Sequence, residues 1–329
     1  MTTAQLVFLY TAEELNISRA AKRAFVSQQA ASTHIKKLEA SYGLPLFHRK
    51  PSLSLTEAGE SLYSACRQMQ LLEQSTDSRI AEIREGNAGL IRVGMNSARS
   101  RLLIPNVLKE YRTAYPKVQV DFRFGDTFSL IDQLKTGELD LIVGIGINPE
   151  ELSNLIITPV SADTVYFLTT EEQLEAFAPE IAERLSAAPE TPASPASADA
   201  APSPAGPVIS LHDLASFPMC RNNRGSTLTT LIDQKLAQEG VLLQDLYFIS
   251  DYDTQLSLCR ENIASCFCPS MLLRRVDAEN ASLTENKRIL SFRVAEIQDT
   301  LSVDLIRLKY VFHPRYMERF TECLMRSLL

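Results

Sequence analysis

Several absences bound this 329-residue chain. No run approaches about 18 consecutive apolar residues, so no transmembrane helix is expected. Met1 leads into a polar start with no apolar stretch of the secretory kind, so a cytoplasmic location is expected. The four histidines (His34, His48, His212, His313) are scattered and no C-x-x-C occurs, which argues against zinc. There is no H-E-x-x-H, G-x-S-x-G, G-x-x-x-x-G-K or Gly-rich dinucleotide loop, so the chain is not expected to be an enzyme and no cofactor is expected. The six cysteines (Cys66, Cys220, Cys259, Cys266, Cys268, Cys323) lack paired spacing and read as buried free thiols. The cluster Cys259, Cys266 and Cys268 keeps a redox-sensing reading open.

What is present is unevenly charged. The net charge is −7, yet residues 1–60 carry Arg19, Lys22, Arg23, Lys36, Lys37, Arg49 and Lys50 against Glu13, Glu14, Glu39, Glu57 and Glu60. A mildly basic head on an acidic body suits a DNA partner bound through two heads. The length suggests two or three domains.

The stretch from Ser18 to Leu38 organises the head. Ser18 is a candidate N-cap. Ala20, Ala21 and Ala24 leave room for a crossing helix, and Phe25 and Val26 break the pattern as apolar turn residues. Ser27 then caps a second helix in which Ala31, Ile35 and Leu38 form one apolar stripe. The other side presents Gln28, Gln29, Ser32, Thr33, Lys36 and Lys37, and with Ser27 at the helix start these are the candidate DNA-binding residues. Gln, Ser and Thr can read base edges, and the lysines suit phosphates. An ordinary solvated helix face would look the same in isolation. Its context is Leu6, Phe8 and Leu9 in a first helix, then Pro45–Lys50 and Leu53–Gly59 as a two-stranded wing running into a new helix. Arg49 and Lys50 would meet the DNA backbone or minor groove.

The run V-S-Q-Q-A-A-S-x-x-I-x-x-L-E, then G-L-P-L-F-x-R, then L-T-E-A-G, resembles the N-terminal domain of LysR-type transcriptional regulators over residues 3–59. Gln29 departs from the proline most common there. The resemblance implies a winged helix-turn-helix, a linker helix and a two-lobed α/β effector domain like that of periplasmic solute-binding proteins. The matching stretches there are G-E-L-D-L-I-V-G at 137–144, R-G-S-T at 224–227 and, more weakly, 260–269. The function implied is regulation of transcription, with a small molecule altering how the heads sit on promoter DNA.

The expected domains are the head at 1–59, a linker helix at 57–86 and an effector domain at 88–329. In the linker, Leu62, Ala65, Met69 and Leu72 form a heptad-like seam, resumed by Ile80 and Ile83. Self-association to a homodimer or homotetramer is expected, because such heads read two half-sites. Gly86–Gly89 ends the helix as a hinge. From Leu90, strands and helices alternate, which argues for a mostly parallel sheet. Residues 187–207, with six prolines and eight alanines, are expected to be a disordered insertion.

In open α/β sheets ligands sit beyond the carboxyl ends of strands, where helix N-termini favour anions. The candidate effector residues are therefore Asn96, Ser97, Ser100, Thr127, Phe128, Ser226 and Thr227, each of which could instead simply cap its helix. Arg99, Arg101, Arg221 and Arg224 lie nearby and favour an acidic ligand. Two alternatives stand beside the regulator reading: a redox-responsive regulator using Cys259, Cys266 and Cys268, and a transport-type binding protein, which the missing export signal disfavours.

Overall fold

The computed structural model describes residues 1–85, 88–146, 154–187, 207–283 and 287–328. It separates into two compact units. One comprises Met1–Leu90 with the short segments Lys117–Gln119 and Leu308–Arg319, and the other holds the rest.

In the first unit, α1 (Thr3–Glu14) starts from a reciprocal cap between Thr2 and Gln5 and buries Val7, Phe8 and Leu9. The cap of α2 (Ile17–Arg23) is Asn16 rather than Ser18: its side-chain oxygen accepts from the N–H groups of Ser18 and Arg19. Ser27 caps α3 (Gln28–Tyr42), accepting from the Ala30 N–H at 3.1 Å. Ala21, Ala31 and Ile35 are buried with the α1 residues in one core, and Leu38 packs against it.

The turn joining α2 to α3 is a Schellman motif. The Val26 N–H donates to the Ala21 carbonyl at 3.0 Å and the Phe25 N–H to the Lys22 carbonyl at 3.2 Å. The two expected turn residues part company: Val26 packs on the core, whereas Phe25, in the left-handed region at φ 56°, is exposed.

The wing is β1 (Phe47–His48) paired antiparallel with β2 (Ser54–Leu55). The Thr56 hydroxyl donates to the Pro45 carbonyl at 2.7 Å and accepts from the Gly59 N–H at 3.0 Å, which closes the wing onto the next helix. A Cβ at Gly59 would lie 2.1 Å from the Leu46 carbonyl oxygen, so no other residue fits. That helix, α4 (Glu57–Glu85), lays Ala58, Leu62, Tyr63 and Cys66 on the head core. Part of the expected seam thus also packs on the chain's own head. Leu62 serves its own head, Ala65 is half-buried, and Met69, Leu72 and Ile80 stay exposed. The side chain of Ile83 lies outside the described ones.

The second unit is built on two sheets. In chain order come β3 (Ala88–Met95), α5 (Ser97–Ala114), β4 (Lys117–Phe124), α6 (Thr127–Lys135), β5 (Leu141–Ile145) and β6 (Leu155–Asp163). The chain continues through β7 (Val165–Thr170), α7 (Glu171–Phe177), α8 (Pro179–Ala187), β8 (Val208–Ile209), β9 (Pro218–Arg221), α9 (Thr227–Glu239) and β10 (Gln244–Phe248). Last are α10 (Tyr252–Arg260), β11 (Ser265–Pro269), α11 (Leu273–Asn280), β12 (Ile289–Val294), β13 (Leu301–Leu308) and α12 (Arg315–Leu328). Of the expected hinge, Gly86 and Asn87 fall outside the described residues, while Ala88 and Gly89 open β3. Positions 188–206 of the expected insertion also lie outside them.

The first lobe has strand order β4-β3-β5-β13-β6 and the second β10-β9-β11-β7-β12-β8. Both are mixed, not mostly parallel: β3 and β5 run parallel, but β13 is antiparallel to β5, and β7 is antiparallel to β11 and β12. Strand β7 shows why the second lobe needs cover on both faces. Val165 and Phe167 point into one apolar cluster, Tyr166 and Leu168 into another. Among the described residues no helix is long and apolar enough to cross a membrane.

Candidate functional site

Two surfaces carry the candidate residues. On the head, Gln28, Gln29, Thr33, Lys36 and Lys37 of α3 are exposed and Ser32 is half-buried, opposite the buried Ala31 and Ile35. Gln29, Thr33 and Lys36 lie one turn apart on one face. The Thr33 hydroxyl donates to the Gln29 carbonyl at 2.9 Å. Ser27, exposed at the start of the helix, is engaged as its cap. On the wing, Lys50 is exposed, and Arg49 lies 3.2 Å from Glu39, whose other oxygen accepts from the Leu46 N–H. Arg49 and Glu39 thus fasten the wing to α3 and fix where it projects.

The second unit holds a cavity of about 630 Å³ between its lobes. Asn96, Ser97, Thr127, Phe128, Ser226 and Thr227 all line it. Ser100 does not: it is buried one turn into α5, where its hydroxyl donates to the Ser97 carbonyl at 2.7 Å. Four helices begin at the cavity. Their caps are Asn96 for α5, Asp126 for α6, Ser226 for α9 and Asp251 for α10, each accepting from an N–H three residues on at 2.7 to 3.2 Å. The capping role and the lining role therefore coincide instead of competing.

Thr127 and Thr227 do more than line the wall. The Ile145 N–H donates to the Thr127 hydroxyl at 3.2 Å, and the Thr227 hydroxyl donates to the Ile145 carbonyl at 3.3 Å. One residue of β5 is thus held from both lobes. Next to it Gly146, at φ 60°, lets the backbone approach Thr227; a Cβ there would lie 2.6 Å from the threonine methyl.

Three of the four nearby arginines are engaged internally. Arg99 is buried against Asp163, whose other oxygen accepts from the Ser270 hydroxyl at 3.2 Å. Arg221 bridges Asp233 at 2.6 Å and Asp245 at 2.9 Å. Arg101, on α5, pairs with Asp251 at 3.6 Å and with Asp253 at the start of α10. Arg224 lines the cavity, with its guanidinium 5.2 Å from the Phe248 ring centre. The lining also includes Asp163, Asn222, Asn223, Ser250, Asp251 and Tyr252, which sequence reasoning missed. The Tyr252 hydroxyl accepts from the Asn222 amide at 3.1 Å, and burial pushes that phenol well up. The Thr254 hydroxyl holds the Asp251 carboxyl below its ordinary range, helped by the Thr254 N–H and the Arg101 charge.

All six cysteines are free and buried. The Cys259 hydrogen bond and burial push the Cys266 thiol well up, and burial does the same to Cys268. Redox-sensing thiols need access and thiolate character, so this environment opposes the redox alternative. Among the described residues no cluster of His, Cys, Asp and Glu is arranged to hold a metal ion.

Comparison with known proteins joins the two surfaces. Residues 4–60 match the family of bacterial regulatory helix-turn-helix proteins of the lysR family, and residues 84–285 match the LysR substrate binding domain. The HTH-type transcriptional regulator YcgK of Bacillus subtilis is 27% identical over 81% of this chain and 79% of its own length. Among solved structures, ArgP from Mycobacterium tuberculosis has a TM-score of 0.67 at 16% identity, covering 99% of this chain and 97% of its own. Full-length CbnR complexed with its target DNA has a TM-score of 0.55 at 20% identity, covering 99% and 100%. At such identities the structures speak to the fold, and the sequence models carry the assignment: the chain belongs to the LysR family and is a DNA-binding transcription regulator with a substrate-binding domain.

Proposed function

We propose that α3 lies in the major groove of promoter DNA and that the cavity between the lobes is where a small molecule controls the regulator. Gln29 and Thr33 read base edges, Lys36, Lys37 and Lys50 meet phosphates, and the wing follows the backbone. A second copy pairs along the Met69 and Leu72 face of α4, so two heads meet two half-sites. The protein works in the cytoplasm without a resident cofactor.

The observation that carries the cavity reading is the convergence of four capped helix N-termini on one space with both polar and apolar walls. The helix dipoles of α5 and α9, whose caps are the neutral Asn96 and Ser226, favour an anion, and Arg224 adds a positive charge, whereas the Asp126 and Asp251 carboxylates already sit at the starts of α6 and α10. The proposed effector therefore bears a carboxylate or similar group, with Phe124, Phe128 and Leu301 offering apolar surface to the remainder. A ligand shifts an equilibrium only through unequal affinity for its two states. A molecule that touches α5 and α6 on one lobe and α9 on the other has that leverage.

The test is a thermal-shift screen of the whole chain against small carboxylic acids and phosphorylated metabolites. A compound at about 100 times its dissociation constant stabilises by about 2.7 kcal/mol, a rise of roughly 5–10 °C. The shift should vanish in Thr227→Val and Asn96→Ala. A hit whose shift survives both variants places the effector elsewhere.

A further inference from the structure

The turn between α2 and α3 holds a side chain that the fold does not use. Phe25 occupies the residue after the α2 C-cap, in the left-handed region at φ 56°. Helix ends usually give this place to Gly or Asn, because a Cβ there crowds the following carbonyl. The apolar contact that normally completes the motif is supplied by its neighbour Val26, packed on the core. The Phe25 ring is 97% exposed, more than any other large apolar side chain among the described residues. It borders the candidate DNA face in sequence: Ser27, Gln28 and Gln29 follow it directly, and Lys22 and Arg19, the latter paired with Glu14 at 3.3 Å, are exposed on the preceding helix.

We propose that Phe25 is a DNA-contact residue. As α3 enters the groove, the ring packs against apolar carbons of the strand, a thymine methyl or a deoxyribose edge, beside the bases met by Gln28 and Gln29. Arg19 and Lys22 bring phosphates to its flank. The inference rests on α3 being the recognition helix. Because the contact is apolar, it adds affinity without releasing counterions.

The experiment uses the full chain and a duplex that the wild-type chain selects from a random pool. Phe25→Asn is the informative variant, since Asn adopts the left-handed region readily. Its melting temperature should equal or exceed that of wild type, while its affinity falls about tenfold, the scale of one lost apolar contact. The slope of log affinity against log salt should not change, whereas Lys36→Ala should make it shallower. Phe25→Tyr should retain affinity. Replacing thymine by uracil, site by site, separates the two sources. A loss in wild type that is absent in Phe25→Asn marks a methyl, and no loss at any site puts the ring on deoxyribose. Unchanged affinity in Phe25→Asn overturns the proposal and turns the ring toward a protein partner. If Gln29→Ala still relaxes sequence preference in that case, only this inference fails. If Gln29→Ala and Thr33→Ala are also silent, the recognition-helix reading fails with it.

Discussion

The head and the cleft of this regulator use polar residues in opposite ways. On α3 the side chains facing solvent are Gln28, Gln29, Thr33, Lys36 and Lys37, and the helix is fastened from behind by Ala31 and Ile35. In the cleft many polar groups already have a protein partner: the caps hold backbone amides, Thr127 and Thr227 hold Ile145, and Arg99 holds Asp163. A surface that reads many sequences must stay free until it meets one. A pocket that distinguishes one small molecule must have its donors aimed beforehand, which lowers the ordering cost of binding.

The largest effect expected from breaking this contrast is in the cleft. Asp163→Ala strands the buried Arg99 guanidinium, and a broken buried pair costs about 3–5 kcal/mol. Urea unfolding of the whole chain should show that loss in the transition of the effector unit. A loss below about 1 kcal/mol would mean that the arginine finds water or another partner.

Next comes association. Met69→Glu with Leu72→Glu places charges on the exposed face of α4, so light scattering should report monomers. Leu62→Glu should instead unfold the head, since Leu62 packs on its core. A dimer surviving the double variant moves the interface off this face.

On the head itself, Gln29→Ala should cost about 1–3 kcal/mol of preference for the selected duplex. Lys36→Ala should weaken all duplexes alike and lower the salt slope by about one. Competition against random duplex separates the two, and a swap of these behaviours would rotate the recognition face.

A further effect is confined to alkaline pH. Burial, with the Cys266 thiol alongside, pushes the Cys220 thiol from its ordinary value near 9 up to about 11. The unfolded thiol ionises first, so the folded state binds the extra proton between these values. Stability should be full below pH 9 and decline as pH rises towards 11, and Cys220→Ser should lessen that decline, the share due to Cys266 and Cys268 remaining.

Much of this was legible in the sequence, for reasons of distance. The head's signals lie within 60 residues: the stripe Ala31, Ile35 and Leu38, the cap Ser27 and the wing each depend on near neighbours. The errors there have local causes too. Asn16 and Ser18 are both good caps, and the choice turned on where α2 began. Spacing groups Leu62 with Met69 on a helix, but cannot say that one edge of the stripe meets its own head. Phe25 and Val26 look alike until the end of α2 decides which one turns inward.

In the cleft, residues at helix starts were readable, because Asn96, Thr127 and Ser226 follow strands. Asp163, Asn222 and Tyr252 were not. Asn222 and Tyr252 follow β9 and β10, parallel neighbours in the second sheet, and Asp163 ends β6 in the first, so only the packing of the two lobes brings them to one cavity. Nor could sequence show that Arg221 is held by Asp233 and Asp245, 12 and 24 residues away. Effector chemistry inferred from nearby arginines alone therefore overcounts them.

The most direct test of the account is a salt series of duplex binding by the full chain, with the selected duplex competing against random sequence. The account predicts that log affinity falls linearly with log salt, with a preference for the selected duplex of about 10³ or more. That preference should be carried by α3 and reduced by Gln29→Ala. Equal affinity for both duplexes at every salt concentration, or a preference untouched by changes on α3, would contradict it.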